Sequence, residues 1–96
     1  MRRRYMVCYD VSDPGRLRQT YKKMLGFGEH VQYSVFMCDL SEKEKELLED
    51  ALQELLDLRQ DRVLIVDVGS SEERRTSRIV VMGSPVNLPS RDPVIV

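Results

Sequence analysis

An α+β sandwich, with two helices on one face of a β-sheet, is predicted by three features of the chain. A short apolar run, Tyr5-Met6-Val7-Cys8-Tyr9, ends abruptly at Asp10. A helix start follows at once at Asp13-Pro14. Farther on, Ser41 and Glu44 open a second helix that carries a long leucine stripe. Taken in order, the elements read β-α-β-(β)-α-β with an added C-terminal strand, which is the ferredoxin-like split βαβ arrangement.

The first strand is expected over about Arg4 to Val11. Strand geometry puts Tyr5, Val7, Tyr9 and Val11 on one face and Met6, Cys8 and Asp10 on the other. Asp13 is a good N-cap and Pro14 a good first helical residue. The first helix then runs to about Leu25, with Leu17, Tyr21, Met24 and Leu25 at helical spacing. Gly26 and Gly28 end it around Phe27. Val31 to Leu40 alternates as a long strand, with room for a bulge or turn that splits it. Ser41 and Glu44 match the capping box. Leu47, Leu48, Ala51, Leu52, Leu55 and Leu56 form one apolar stripe behind it. Val63 to Val68 reads as a strand closed by Gly69. A polar loop from Ser70 to Ser77 leads to a short strand, Ile79 to Met82. Residues 1–83 form the domain, and 84–96, with Pro85, Pro89 and Pro93, form a tail or extended arm.

Right-handed crossovers place both helices on one side of the sheet. The other side keeps apolar positions that no remaining element covers. A two-fold dimer, sheet face to sheet face, is the economical solution.

At 96 residues the chain makes one domain with a modest core. A hydrophobic content of 42% and a charged content of 32% exclude a disordered or membrane-embedded chain. No apolar run approaches the ~20 residues of a membrane span, and the stretch before Asp10 is too short for a secretory signal. Cys8 and Cys38 lack metal-ligand spacing, so both read as reduced strand residues of a cytoplasmic protein. The net charge of −1 hides a basic start, an acidic middle and a basic end. That asymmetry fits a polyanion on one side and a basic partner on the other, or simply a solvated surface.

Tyr9-Asp10-Val11, Arg16-Leu17-Arg18, Phe27-Gly28 and Val31-Gln32-Tyr33-Ser34-Val35-Phe36, in this order and spacing, resemble the small CRISPR-associated endoribonuclease family of the adaptation module. The match spans roughly residues 5–82. The resemblance implies a homodimer in which Asp10 faces its mate near the two-fold axis. It implies a metal-dependent nuclease acting on single-stranded RNA or double-stranded DNA, or a dimer that bridges the CRISPR integrase and holds DNA during spacer acquisition. Tyr9, Asp10, Arg16, Arg18 and Phe36 carry over as functional positions, with Asp10 the catalytic and metal-binding residue and the other four contacting nucleic acid. Some members have an arginine before the Val/Ile-Gln-Tyr string, where this chain has His30.

The residues themselves support more than one role. A carboxylate at a strand end sits at the sheet rim, where it can reach a metal; Asp10 could also merely cap the turn. Asp10 from two subunits suits Mg²⁺ or Mn²⁺, held largely through water. Arg16 and Arg18 oppose the dipole of the first helix, so an anion such as phosphate would relieve them. Tyr9 is expected to pack, and Phe36 to be half-exposed beside Gln32 and Ser34. Asp67 reads as structural or surface, His30 as a surface residue, and Ser34 as no nucleophile for want of a histidine. Arg2, Arg3 and Arg4 with Arg74, Arg75 and Arg78 could form a phosphate track. The acidic second helix could meet a basic protein. A toxin ribonuclease of the same fold is a more distant reading.

Overall fold

The computed structural model describes residues 1–71 and 79–85. Strand β1 (Arg3–Asp10) leads to helix α1 (Pro14–Met24), and strands β2 (Glu29–Gln32) and β3 (Val35–Leu40) follow. Helix α2 (Glu42–Leu55) and strand β4 (Arg62–Ser70) complete the order. The sheet runs β2-β3-β1-β4, with every neighbouring pair antiparallel. This is the ferredoxin-like order that the sequence predicts.

The helix ends form as their residues dictate. The Asp13 carboxylate accepts the Arg16 backbone N–H at 2.9 Å, with Pro14 next in the chain. At α2 the Glu44 N–H donates to Ser41 Oγ at 3.1 Å, and the Ser41 N–H donates to Glu44 Oε1 at 2.8 Å. The Ser41 backbone donor, with Ser41 and Arg2 adding to it, holds the Glu44 carboxyl below its usual range.

Period-two alternation in β1 divides the molecule. Tyr5, Val7, Tyr9 and Val11 enter the core with Phe36, Cys38 and Leu40, and meet Met24 of α1, Leu48 and Leu52 of α2, and Leu56 just past its end. Burial pushes the Cys38 thiol up to about 12, so it stays protonated. On the opposite face Met6 lies between Met37 and Val66, and Cys8 between Val35 and Leu64. Leu64 and Val66 there remain 55% and 41% exposed. An apolar sheet face is thus left open among the described residues, as expected.

The long Val31–Leu40 strand is split by a turn at Tyr33-Ser34, as its length left room for. Four other expectations are corrected. The alternation restarts after that turn, and Phe36, expected to be half-exposed, lies wholly in the core. Helix α1 buries Thr20 and Met24 rather than its whole apolar stripe. Thr20 can be buried because its hydroxyl donates to the Arg16 carbonyl at 2.7 Å. Strand β4 continues through Gly69 to Ser70, because glycine accepts a φ of 119° beside the register shift opposite Arg4 and Tyr5. Residues 79–82 join no ladder of the described sheet and are largely exposed, because β4 already ends the sheet without pairing to them. Residues 72–78 and 86–96, including Arg74, Arg75, Arg78 and most of the proposed tail, lie outside the described residues.

One carboxylate joins three segments. Asp61, its side chain fully buried, accepts Arg16 Nε at 2.9 Å on one oxygen and a second Arg16 nitrogen at 3.2 Å on the other. It also accepts the backbone N–H groups of Ser12 at 3.1 Å and Asp57 at 3.0 Å. The turn after β1, the start of α1 and the loop before β4 are locked together. The Arg16 guanidinium, helped by those backbone donors, holds the Asp61 carboxyl far below the ordinary carboxylate range. Asp57, bound by Arg59 and Gln60, is lowered to about 2.

Two predictions follow from this packing. A depressed carboxyl contributes stability that is present above the unfolded pKa of about 4 and lost as pH falls through the folded pKa. Wild-type melting temperature should therefore drop steeply between about pH 4 and pH 2. Asp61→Asn should melt several degrees lower at pH 7, and the gap should close in acid. Parallel acid limbs in circular-dichroism melts would contradict the linkage. Separately, a Cβ on Gly28 would collide with the Met37 carbonyl and lie 2.6 Å from Cys38 Sγ. Gly28→Ala should cost about 1–3 kcal/mol in urea unfolding, and an unchanged midpoint would refute the clash.

Candidate functional site

Asp10 ends β1 on the open face of the sheet, in the same row as Met6 and Cys8, and is exposed. Its strand neighbour in β4 is Arg62. Among the described residues no side chain hydrogen-bonds or ion-pairs with its carboxylate. A free carboxylate at a rim is chemically available: it offers hard oxygen donors of the kind Mg²⁺ and Mn²⁺ prefer. Among the described residues no three His, Cys, Asp or Glu side chains converge on a metal-sized site. The donor set of one chain therefore fits a divalent ion only as a single ligand to a largely hydrated ion. A second carboxylate must come from elsewhere, and the open face on which Asp10 lies is where another copy could supply it.

Tyr9, one residue back, points the other way. It is buried, stacks on Phe36 with ring centroids 6.2 Å apart, and its backbone N–H donates to the Ser34 carbonyl at 3.0 Å. Burial raises the pKa of its phenol, nearby Tyr21 adds to the shift, and a hydrogen bond with Ser34 opposes it. Asp10 and Tyr9 thus serve different faces of one strand end. Phe36 touches Tyr9, Tyr21 and His30, so its role is to set the positions of those rings.

The two arginines of α1 are not equivalent. Arg16 is committed to Asp61. The hydrogen bond to Asp61 raises the guanidinium pKa above its ordinary value. Arg18 is exposed and lines a groove of about 490 Å³ with Tyr9, Pro14, Leu17, Tyr21, Tyr33 and Ser34. No acidic residue occurs in Pro14–Met24, while Arg16, Arg18, Lys22 and Lys23 do. This helix is the cationic surface of the described chain. The N-terminal arginines are less available than expected. Arg2 pairs with Asp39 and Glu44, Arg3 pairs with Asp67, and Arg4 is buried. Asp67 is accordingly a structural partner, as expected. The acidic side of α2 edges a second groove of about 430 Å³, floored by Leu52, Val63 and Ile65.

Sequence reasoning missed Asp61, Tyr21 and Tyr33 as parts of this region. Tyr33 was visible in the Gln-Tyr-Ser-Val-Phe string, but a continuous strand would have hidden its turn geometry. It is 91% exposed, and its φ is +41°. His30, expected to be a plain surface residue, lies with Nε2 2.7 Å from the Tyr33 carbonyl and its ring 5.2 Å from Tyr21. It braces the turn.

The family model described as CRISPR associated protein Cas2 matches residues 1–76. A protein of Rhodospirillum rubrum named CRISPR-associated endoribonuclease Cas2 1 is 42% identical over 69 residues, which cover 72% of this chain and 68% of that protein. The CRISPR-associated endoribonuclease Cas2 2 of Thermodesulfovibrio yellowstonii is 38% identical over 89 residues, covering 93% of this chain and 92% of its own. Among solved structures, a hypothetical protein from Thermus thermophilus superposes with a TM-score of 0.74 at 33% identity, over 91% of this chain and all of its own. Streptococcus pyogenes Cas2 superposes with a TM-score of 0.73 at 27% identity, over 83% of this chain and 99% of its own. No described helix is long and apolar enough to cross a membrane. A strand-end carboxylate on an open sheet face, a cationic first helix and these likenesses place the chain in the CRISPR-associated Cas2 family.

Proposed function

We propose that the protein works in CRISPR adaptation as a homodimeric, metal-dependent endonuclease that hydrolyses phosphodiester bonds, with Asp10 as its catalytic residue. The observation that carries the proposal is Asp10 itself, exposed and unpaired among the described residues, at the edge of an apolar face that no described residue covers. Packing two such faces about a two-fold axis would bury Leu64 and Val66 and bring two Asp10 carboxylates toward one another. The names of relatives as endoribonucleases support the reaction class.

A divalent ion, Mg²⁺ or Mn²⁺, held by the paired Asp10 side chains would supply positive charge at the scissile phosphate and a more acidic bound water. The chain's own part is to bind and orient. Arg18, Lys22 and Lys23 hold the phosphates of the strand, while Arg16 keeps α1 fixed against the loop before β4. The apolar surround of the paired faces excludes bulk water beside the carboxylates, which strengthens their interaction with cations.

A second reading has its own support: among the described residues one chain brings a single carboxylate to this site, fewer than metal nucleases commonly use. On that reading the dimer is a non-catalytic scaffold that binds nucleic acid and bridges the CRISPR integrase during spacer acquisition. The acidic flank of α2 would then receive a basic surface of that partner.

Asp10→Ala separates the two readings. With Mg²⁺ or Mn²⁺, the wild type should cleave single-stranded RNA or duplex DNA, and the variant should lose about a hundredfold or more. Chelation by EDTA should have the same effect. Cleavage that survives the substitution removes Asp10 from catalysis, and no cleavage by the wild type favours the scaffold. Light scattering at micromolar concentration should report a dimer, and Val66→Asp should shift it toward monomer. A monomeric wild type would overturn the paired-carboxylate arrangement.

A further inference from the structure

We infer that the groove between α1 and the Tyr33 turn is a stacking site for an unpaired nucleobase, with Tyr33 and Tyr21 as its rings. The inference rests on the nucleic-acid reading above and adds to it where a single strand is gripped.

The first ground is backbone geometry. Tyr33 is the non-glycine residue with positive φ among the described residues, at +41°. Bulky side chains rarely adopt that conformation, and glycine or asparagine would hold such a turn at lower cost. The conformation is nonetheless braced: His30 Nε2 meets the Tyr33 carbonyl at 2.7 Å. The effect is to hold a large ring in solvent, where it buries nothing of its own chain. Strain kept at a residue that gives no packing in return points to a role outside the fold.

The second ground is the opposing wall. Tyr21 is held edge-on by His30, with ring centroids 5.2 Å apart, and by Phe36 at 5.7 Å. Two contacts fix the ring while 38% of the residue stays exposed, and Leu17 is exposed to the same extent. Leu17 and Tyr21 of the α1 stripe thus face the groove, while Met24 of the same stripe enters the core with Thr20. A preset aromatic ring needs little ordering when a flat ligand arrives.

The third ground is charge, and it selects the occupant. Arg18 lies in the groove wall, and Lys22 follows one helical turn later on the same side. With no acidic residue in α1, an apolar peptide or a basic partner gains nothing from this rim. A strand whose bases enter the groove while its phosphates track Arg18 and Lys22 satisfies both parts. A duplex cannot, because its bases are already stacked and its rim alone would touch the helix.

Asp10 and the groove lie on opposite faces of the same strand end, so the stacking rings can be altered without touching the carboxylate. Tyr33→Asn keeps a residue that tolerates the left-handed turn and removes the ring. Tyr21→Leu keeps the helix and an apolar side chain. Binding is read by anisotropy of a short fluorescein-labelled oligo(U) strand and of a duplex of equal length. Each variant should bind the single strand about tenfold to a hundredfold more weakly and the duplex within about twofold of wild type. The salt slope should stay unchanged, because no phosphate contact is lost, whereas Arg18→Gln should reduce it. A 2-aminopurine placed in the strand should change its fluorescence on binding wild type, and not on binding Tyr33→Asn.

Wild-type affinity retained by both folded variants would overturn the stacking site and leave the nucleic-acid reading standing. Binding of duplex alone by the wild type would do the same. Failure of the wild type to bind either probe would overturn both readings together.

Discussion

The alternation of β1 is the constraint on which everything else depends. As an inner strand, paired with β3 on one side and β4 on the other, it cannot shift by one residue without exchanging the faces of all its side chains. Tyr5, Val7 and Tyr9 bring the whole core with them, and a slip would replace them by Met6, Cys8 and Asp10. Burial of an unpaired Asp10 would cost several kcal/mol. Register, core and the exposure of the carboxylate are therefore one decision. Tyr9 and Asp10, adjacent in sequence, are driven to opposite faces, which separates the carboxylate from the aromatic groove.

The second device is the contact between Arg16 and Asp61. An arginine in the first turn of a helix opposes the helix dipole, and Asp61 offsets that locally while satisfying backbone donors of Ser12 and Asp57. Half-buried ion pairs are weak grounds for stability on their own. Here the value is geometric: the turn that carries Asp10 out of β1 is tied to the loop that starts β4. It also means that the two arginines of the Arg-Leu-Arg string divide the work. One fixes the scaffold, and the other faces solvent.

Much of this was legible from the residues, and the boundary of legibility has physical causes. Local signals read well. Asp13-Pro14 and Ser41 with Glu44 form the caps that their chemistry predicts, because the partners lie within one turn. The order of elements and the uncovered sheet face also followed. Non-local choices did not. Nothing near Asp61 in sequence announces Arg16, 45 residues away. The turn at Tyr33 carries no glycine or asparagine, so nothing in the run from Val31 to Leu40 fixed where it breaks, and Phe36 was given the wrong surroundings. The stripe of α1 had the spacing of a buried face, yet Thr20 displaced Leu17 from the core because its hydroxyl could be satisfied by the helix itself.

The open face and the lone carboxylate together constrain how such a domain can act. A sheet face that includes half-exposed Leu64 and Val66 favours self-association, and association through a two-fold axis doubles whatever lies near that axis. Asp10 is the residue placed to benefit. A second ligand built into the same chain would have to displace a core or interface residue near the end of β1. In the dimer proposed above, symmetry would supply it without that loss. Geometry between the two carboxylates would then be governed by how closely the faces pack, with Leu64 and Val66 among the apolar contacts that set that packing. A nuclease of the proposed design would be adjusted by residues that never touch its substrate. Mutations in the apolar rows should move metal affinity as well as dimer affinity, because both depend on the same approach of the two sheets.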